Sequence, residues 1–124
     1  MDVRTLVSRW LMRRRNEALV VQAESPTTLT LRQGRMLTAF DRLSRTITQQ
    51  GKVVAPFGTI RHIRVFDEPS TAAGAVAWWI TLQLAGTGSV KVGSCPGREH
   101  AAQLAGQISA VTGAPVLFGH PTLL

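Results

Sequence analysis

The chain has 124 residues, the length of one domain, and its 44% hydrophobic and 17% charged residues separate it from disordered sequences. Fourteen Lys and Arg against seven Asp and Glu give a net charge of +7. Five of these cations, Arg4, Arg9, Arg13, Arg14 and Arg15, precede residue 16 beside one acid, Asp2. One cysteine, Cys95, excludes an intrachain disulfide framework and fits a reducing compartment.

From Asp2 onward, Val3, Leu6, Val7, Trp10 and Leu11 recur at the i, i+3, i+4, i+7, i+8 spacing of one helical face, which predicts a basic amphipathic helix. The arginines follow the apolar residues instead of preceding them, so the segment does not read as a secretory signal. Glu17 to Ala23 either extends this helix or begins a strand.

After Pro26 the apolar period changes to two. Leu29 and Leu31 alternate with polar neighbours, and Gln33-Gly34 turns into "RMLTAF". "RTITQQ" alternates around Ile47, and Gln50-Gly51 turns into "KVVAPF", where Pro56 belongs at a strand end or edge. "TIRHIRVF" puts Ile63 and Val65 on one face and His62 and Arg64 on the other, and "DEPSTAAG" reads as a loop. In "AVAWWITLQL", Val76, Trp78, Ile80, Leu82 and Leu84 share a face, so Trp78 and Trp79 point to opposite sides. "AGTGS" is a hairpin turn, and Val90 and Val92 continue the alternation. The longest uncharged run, Pro69 to Val90, is broken by Thr81, Gln83, Thr87 and glycines, and falls short of the roughly twenty apolar residues of a membrane span.

Period 3.6 returns after Cys95-Pro96. Leu104, Ile108 and Val111, with Ala101 and Ala105, form the apolar stripe of a helix with proline in its first turn and Gly113 and Pro115 at its stop. The expected fold is therefore mainly β within the α+β class. It is a partly open barrel of about seven antiparallel strands capped by a C-terminal helix, with an additional N-terminal amphipathic helix. The division expected is a basic helix over residues 1–24, the barrel and its helix over 25–118, and a tail over 119–124.

The runs "FDRLSRTITQQGKVVAPFGTIRHIRVF", "WWITLQLAGTGSVKVGS" and "EHAAQLAGQISAVTGAPV" resemble the bacterial pleckstrin-homology-like domains. In that family an Asp-Arg pair, here Asp41-Arg42, opens a strand; a Pro-Phe-x-x-Ile turn, here Pro56, Phe57 and Ile60, leads into another; and a helix ending in Gly-x-Pro, here Gly113 to Pro115, closes the barrel. The likeness spans about Thr27 to Val116. It implies the fold and a binding or scaffolding role. It does not imply phosphoinositide recognition, because the basic loop used for that purpose is not evident. Many members are attached to transmembrane helices; none is expected in this sequence, a departure that argues against direct membrane anchoring.

No spacing of His62, His100, His120 or Cys95 resembles a metal site, and no cofactor is expected. Cys95 near a helix start is a position where a thiol pKa can fall, but no base is adjacent in sequence. Asp67-Glu68 reads as a solvated turn. "AGTGSVKVG" joins two strands, so it lacks the helix N-terminus that a phosphate loop uses. The chain is therefore expected not to be an enzyme.

Magnitudes rank the partners of the first helix. Burying Val3, Leu6, Val7, Trp10 and Leu11 is worth on the order of 10 kcal/mol, against about 1 kcal/mol for each arginine at an anionic lipid surface. The apolar face outweighs the arginines, which disfavours nucleic acid. Three covers are compatible: its own barrel, a groove of another protein, or a membrane interface with Trp10 and Arg13 to Arg15 as anchor and flank. The expectation is a cytoplasmic scaffold or accessory subunit, docking through Val3, Leu6, Val7, Arg9, Trp10, Leu11, Arg13, Arg14, Arg15 and Trp79 on a protein complex at or near the inner membrane face. The alternative is a peripheral domain that binds anionic lipid; a nucleic-acid binder ranks below both.

Overall fold

The computed structural model describes residues 18–69 and 76–119. The predicted N-terminal helix, with all of its candidate binding residues, lies outside the described residues, as does the tail beyond 119.

The first sheet is a meander of five antiparallel strands, β1 (Val20–Glu24), β2 (Thr28–Gln33), β3 (Met36–Asp41), β4 (Thr46–Gln49) and β5 (Lys52–Pro56), each paired with the next. Short turns set this register. Gln50 and Gly51 both have positive φ, 52° and 79°, the sign pattern of a type I′ hairpin between Gln49 and Lys52. Between β3 and β4 the Asp41 carboxylate accepts the Leu43 and Ser44 backbone N–H groups at 2.8 and 3.3 Å, closing an Asx turn. Leu29, Leu31, Phe40 and Ile47 alternate onto the buried face.

A 3-10 turn (Phe57–Thr59) buries Phe57 and crosses to the second sheet, β6 (Ile60–Pro69), β7 (Val76–Leu84), β8 (Ser89–Cys95) and β9 (Val116–Phe118), in the order β8-β7-β6-β9. Ile63, Val65, Ile80, Leu82 and Val92 face the first sheet in one core. The helix α1 (Arg98–Thr112) packs Ala101, Leu104, Ala105 and Ile108 into that core. It stops at Gly113, whose φ of 81° is the left-handed C-cap that glycine takes without strain.

The structure is thus mainly β with a single C-terminal helix among the described residues, and it corrects the expected architecture in four respects. The expected partly open barrel of about seven strands takes the form of two separate hydrogen-bonded sheets, of five and four strands among the described residues. Residues 20–24 are strand, resolving the open alternative for Glu17 to Ala23. The segment read as a loop from Asp67 begins later, because β6 runs on to Pro69 opposite Val76. Pro96 precedes the N-cap Gly97 instead of lying in the first helical turn, and Cys95 still belongs to β8. A strand that the sequence pattern does not announce, β9, runs parallel to β6, with Ile63 opposite Val116 and Val65 opposite Phe118. It follows the helix directly, which makes β6-to-β9 a crossover connection.

Candidate functional site at the edge of the second sheet

β8 is the outermost strand of the second sheet, and its free side meets the first sheet without forming a ladder. A bulge makes this meeting possible: Ile80 pairs with Gly93 and Thr81 with Lys91, leaving Val92 as the additional residue of β8. Two glutamines from the first sheet then satisfy the exposed backbone. Gln33, last residue of β2, accepts the Ser94 N–H at 2.8 Å and donates to the Ser94 Oγ at 2.9 Å. Gln49, last residue of β4, donates to the Lys91 carbonyl at 2.9 Å and the Thr38 hydroxyl at 3.2 Å. The Leu19 N–H reaches the Ser94 carbonyl at 2.9 Å. Edge groups that would otherwise template another strand are thereby occupied.

Beside these links lies a cleft of about 490 Å³. Met36 and Val54, both 40% exposed, line one side. Trp79 and Lys91 line the other, the Lys91 ammonium standing 4.7 Å from the centre of the indole ring, within cation–π range. Lys91 is the one ionisable residue among the described residues that line the cleft. This wall is apolar and aromatic with amide groups and one cation, a composition suited to holding a ligand or a partner side chain.

The two tryptophans do face opposite ways. Trp78 packs against the core, while Trp79 is half-buried on the outer face, opposite Phe66 on β6 and Ser94 on β8. Its neighbours there are Lys91 and strand residues. The other candidate contact residues, Val3 to Arg15, lie outside the described residues.

The reactive groups considered from sequence do not converge. Cys95 is 2% exposed within β8, and burial pushes its thiol up to about 11, partly offset by a hydrogen bond with the Leu19 backbone. This overturns the idea of a lowered pKa, because the residue ends a buried strand and does not start the helix. His62 is half-buried on the outer face, and its pKa is lowered by burial and by the positive charges of Arg64 and Arg61. Asp67 and Glu68 pair with Trp78 and Ala77 on β7, so their side chains leave opposite faces of β6. No group of three or more His, Cys, Asp or Glu residues is placed to hold a metal among the described residues.

Sequence reasoning finds Trp79 but misses Gln33, Gln49, Met36, Val54 and Lys91. Both glutamines stand at strand ends beside turns, where the Gln-Gly pairs draw attention to the turn and not to the side chain's own reach. Their partners are 61 and 42 residues away, a separation for which local pattern carries no signal.

Comparison of the chain with models of known protein families, with curated proteins and with solved structures finds no match.

Proposed function

We propose that this chain is a binding module of pleckstrin-homology-like architecture, acting without catalysis as a scaffold or accessory subunit that docks on a protein complex. The fold class supports the reading: the two sheets meet at β8 and leave beside that seam a cleft lined by Met36, Val54, Trp79 and Lys91. The observation that carries it is the Trp79–Lys91 pair beside the cleft, an amphipathic anchor next to apolar side chains with no acid or base opposite it among the described residues. Aromatic residues in such positions dominate the energetics of protein interfaces. The module works in the cytoplasm, on a complex at the membrane face.

The test is affinity capture of the tagged full chain from its native cells, in parallel with Trp79→Ser. Proteins that co-purify with the unaltered chain should be lost from the variant while its circular dichroism is unchanged. Retention of the same companions would remove the cleft as the docking site. The second reading, a peripheral domain on anionic lipid, is favoured by Arg13 to Arg15 beside Trp10. Flotation with phosphatidylserine vesicles, against neutral vesicles, separates it from docking on protein.

A further inference from the structure

The outward face of the second sheet holds Arg64 and Lys91 in one row with no acid between them among the described residues. Strand register arranges it in rows: Phe66, Trp79 and Ser94 in one, Arg64, Thr81 and Lys91 in the next, then His62 with Gln83 and Ser89. Leu117, 47% exposed, lies beside Arg64 on β9. Glu68, the carboxylate on this face among the described residues, is four positions along β6 from Arg64, about 13 Å at the usual strand rise.

Neither cation is neutralised by a described residue. Lys91 is exposed and makes its close contact with the Trp79 ring. Arg64 reaches the His62 Nε2 at a long 3.5 Å, and its own Nε is buried with no acceptor among the described residues. The backbones of Arg64 and Lys91 stand two strand spacings apart, roughly 10 Å. Between them is the Thr81 hydroxyl, and next to them is an aromatic pair, Trp79 half-buried and Phe66 8% exposed.

We propose that this face receives an acidic protein segment in extended conformation, its carboxylates on Arg64 and Lys91 and an apolar side chain against Trp79. The inference rests on the binding-module reading and names the chemistry of the partner. A polyproline-II chain returns to the same face every three residues with a rise of about 3.1 Å per residue, so acids at i and i+3 are about 9 Å apart. That span matches the spacing of the Arg64 and Lys91 backbones across the sheet, within reach of both flexible side chains. Because Trp79 and Lys91 also line the cleft, the segment has a continuous path from the outer face to the β8 edge.

The experiment uses the full chain and a fluorescein-labelled peptide, Pro-Pro-Glu-Pro-Leu-Glu-Pro-Pro, read by anisotropy at low salt, with a counterpart carrying lysine for glutamate and with phosphatidylserine vesicles as separate arms. The acidic peptide should bind and the lysine peptide should not. The double variant Arg64→Gln/Lys91→Gln should weaken binding about tenfold, the scale of two partly exposed ion pairs. Lys91→Gln alone, at an exposed position, should account for part of this, and Arg42→Gln, which removes one exposed charge from the turn between β3 and β4, should leave affinity unchanged. Equal binding of both peptides, indifference to Arg64 and Lys91, or binding to vesicles alone overturns the proposal. Loss of the acidic-peptide result with companions still dependent on Trp79 would overturn only the acidic chemistry; loss of both would take the docking reading with it.

Discussion

Gln33 and Ser94 are 61 positions apart in sequence and form a two-way contact in which one carboxamide holds one serine. The Gln33 Oε1 takes the Ser94 N–H at 2.8 Å, and its Nε2 faces the Ser94 hydroxyl at 2.9 Å and carbonyl at 3.3 Å. With the Gln49–Lys91 contact, this is how two sheets that share no ladder stay in register at the candidate site.

Replacing Gln33 tests that contact. Gln33→Ala leaves the half-buried Ser94 backbone without its side-chain partner and should cost about 1–3 kcal/mol of stability by urea denaturation. Gln33→Glu keeps an acceptor for the Ser94 N–H but loses the donor, so it should fall between alanine and the unaltered chain. A loss in Gln33→Ala below a few tenths of a kcal/mol would show that the sheets are held by core packing alone.

Gly93 is small because of the same contact. A Cβ added there would come within 2.6 Å of the Gln33 Oε1 and 2.9 Å of the Leu19 Cδ1, and Leu19 is 1% exposed. Gly93→Ala should therefore destabilise by about 1–3 kcal/mol, as overpacking does. Combined with Gln33→Ala, the loss should be less than the sum, since one of the two clashes is then gone. Strict additivity would place the strain on Leu19 instead.

Cys95 should be inert while the chain is folded. Burial raises its thiol pKa from 9.0 to about 11, so at pH 8 iodoacetamide should label it slowly in buffer and quickly in urea. The unfolded chain loses this proton above pH 9 and the folded chain keeps it, so stability falls between pH 9 and about 11. Cys95→Ala should remove that part of the decline; identical alkaline profiles for the two chains would contradict the burial argument.

His62 works at the other end of the pH scale. Its folded pKa lies below 6.5, so on acidification the unfolded chain binds the proton first and stability falls as pH drops below about 6.5, levelling off once the folded imidazole is protonated. His62→Gln should flatten this portion of the thermal-melting profile relative to the unaltered chain. Parallel profiles from pH 7 to 5 would mean that neither burial nor the Arg64 and Arg61 charges press on the ring.

Much of the fold is legible in local pattern. The strict alternation in "TLTLRQ" and "AVAWWITLQL" reports half-buried strands, and Gln50-Gly51 reports a tight hairpin, because each depends on neighbours two residues apart. β9 is hidden for the opposite reason. Three residues are too few to show a period, and Val116 to Phe118 is strand because β6 offers a free side for it. The site divides in the same way. Trp79 is visible as the outward-facing member of a tryptophan pair, but the cleft beside it exists only after β3, β4, β5 and β8 are brought together. For Cys95 the local pattern misleads by one element: the strand continues to it, and burial within that strand decides its chemistry.

The pairing of β9 with β6 carries a consequence for synthesis on the ribosome. The five-stranded meander closes hairpin by hairpin, so it has its partners as soon as each strand leaves the exit tunnel. The second sheet does not. Until Val116 to Phe118 emerge, one side of β6 stays open in the nascent chain, and the interval is long enough for translation of the whole of α1. A released chain truncated after Thr112 would therefore present a bare β6 edge beside its helix, a template for strand exchange with a second copy.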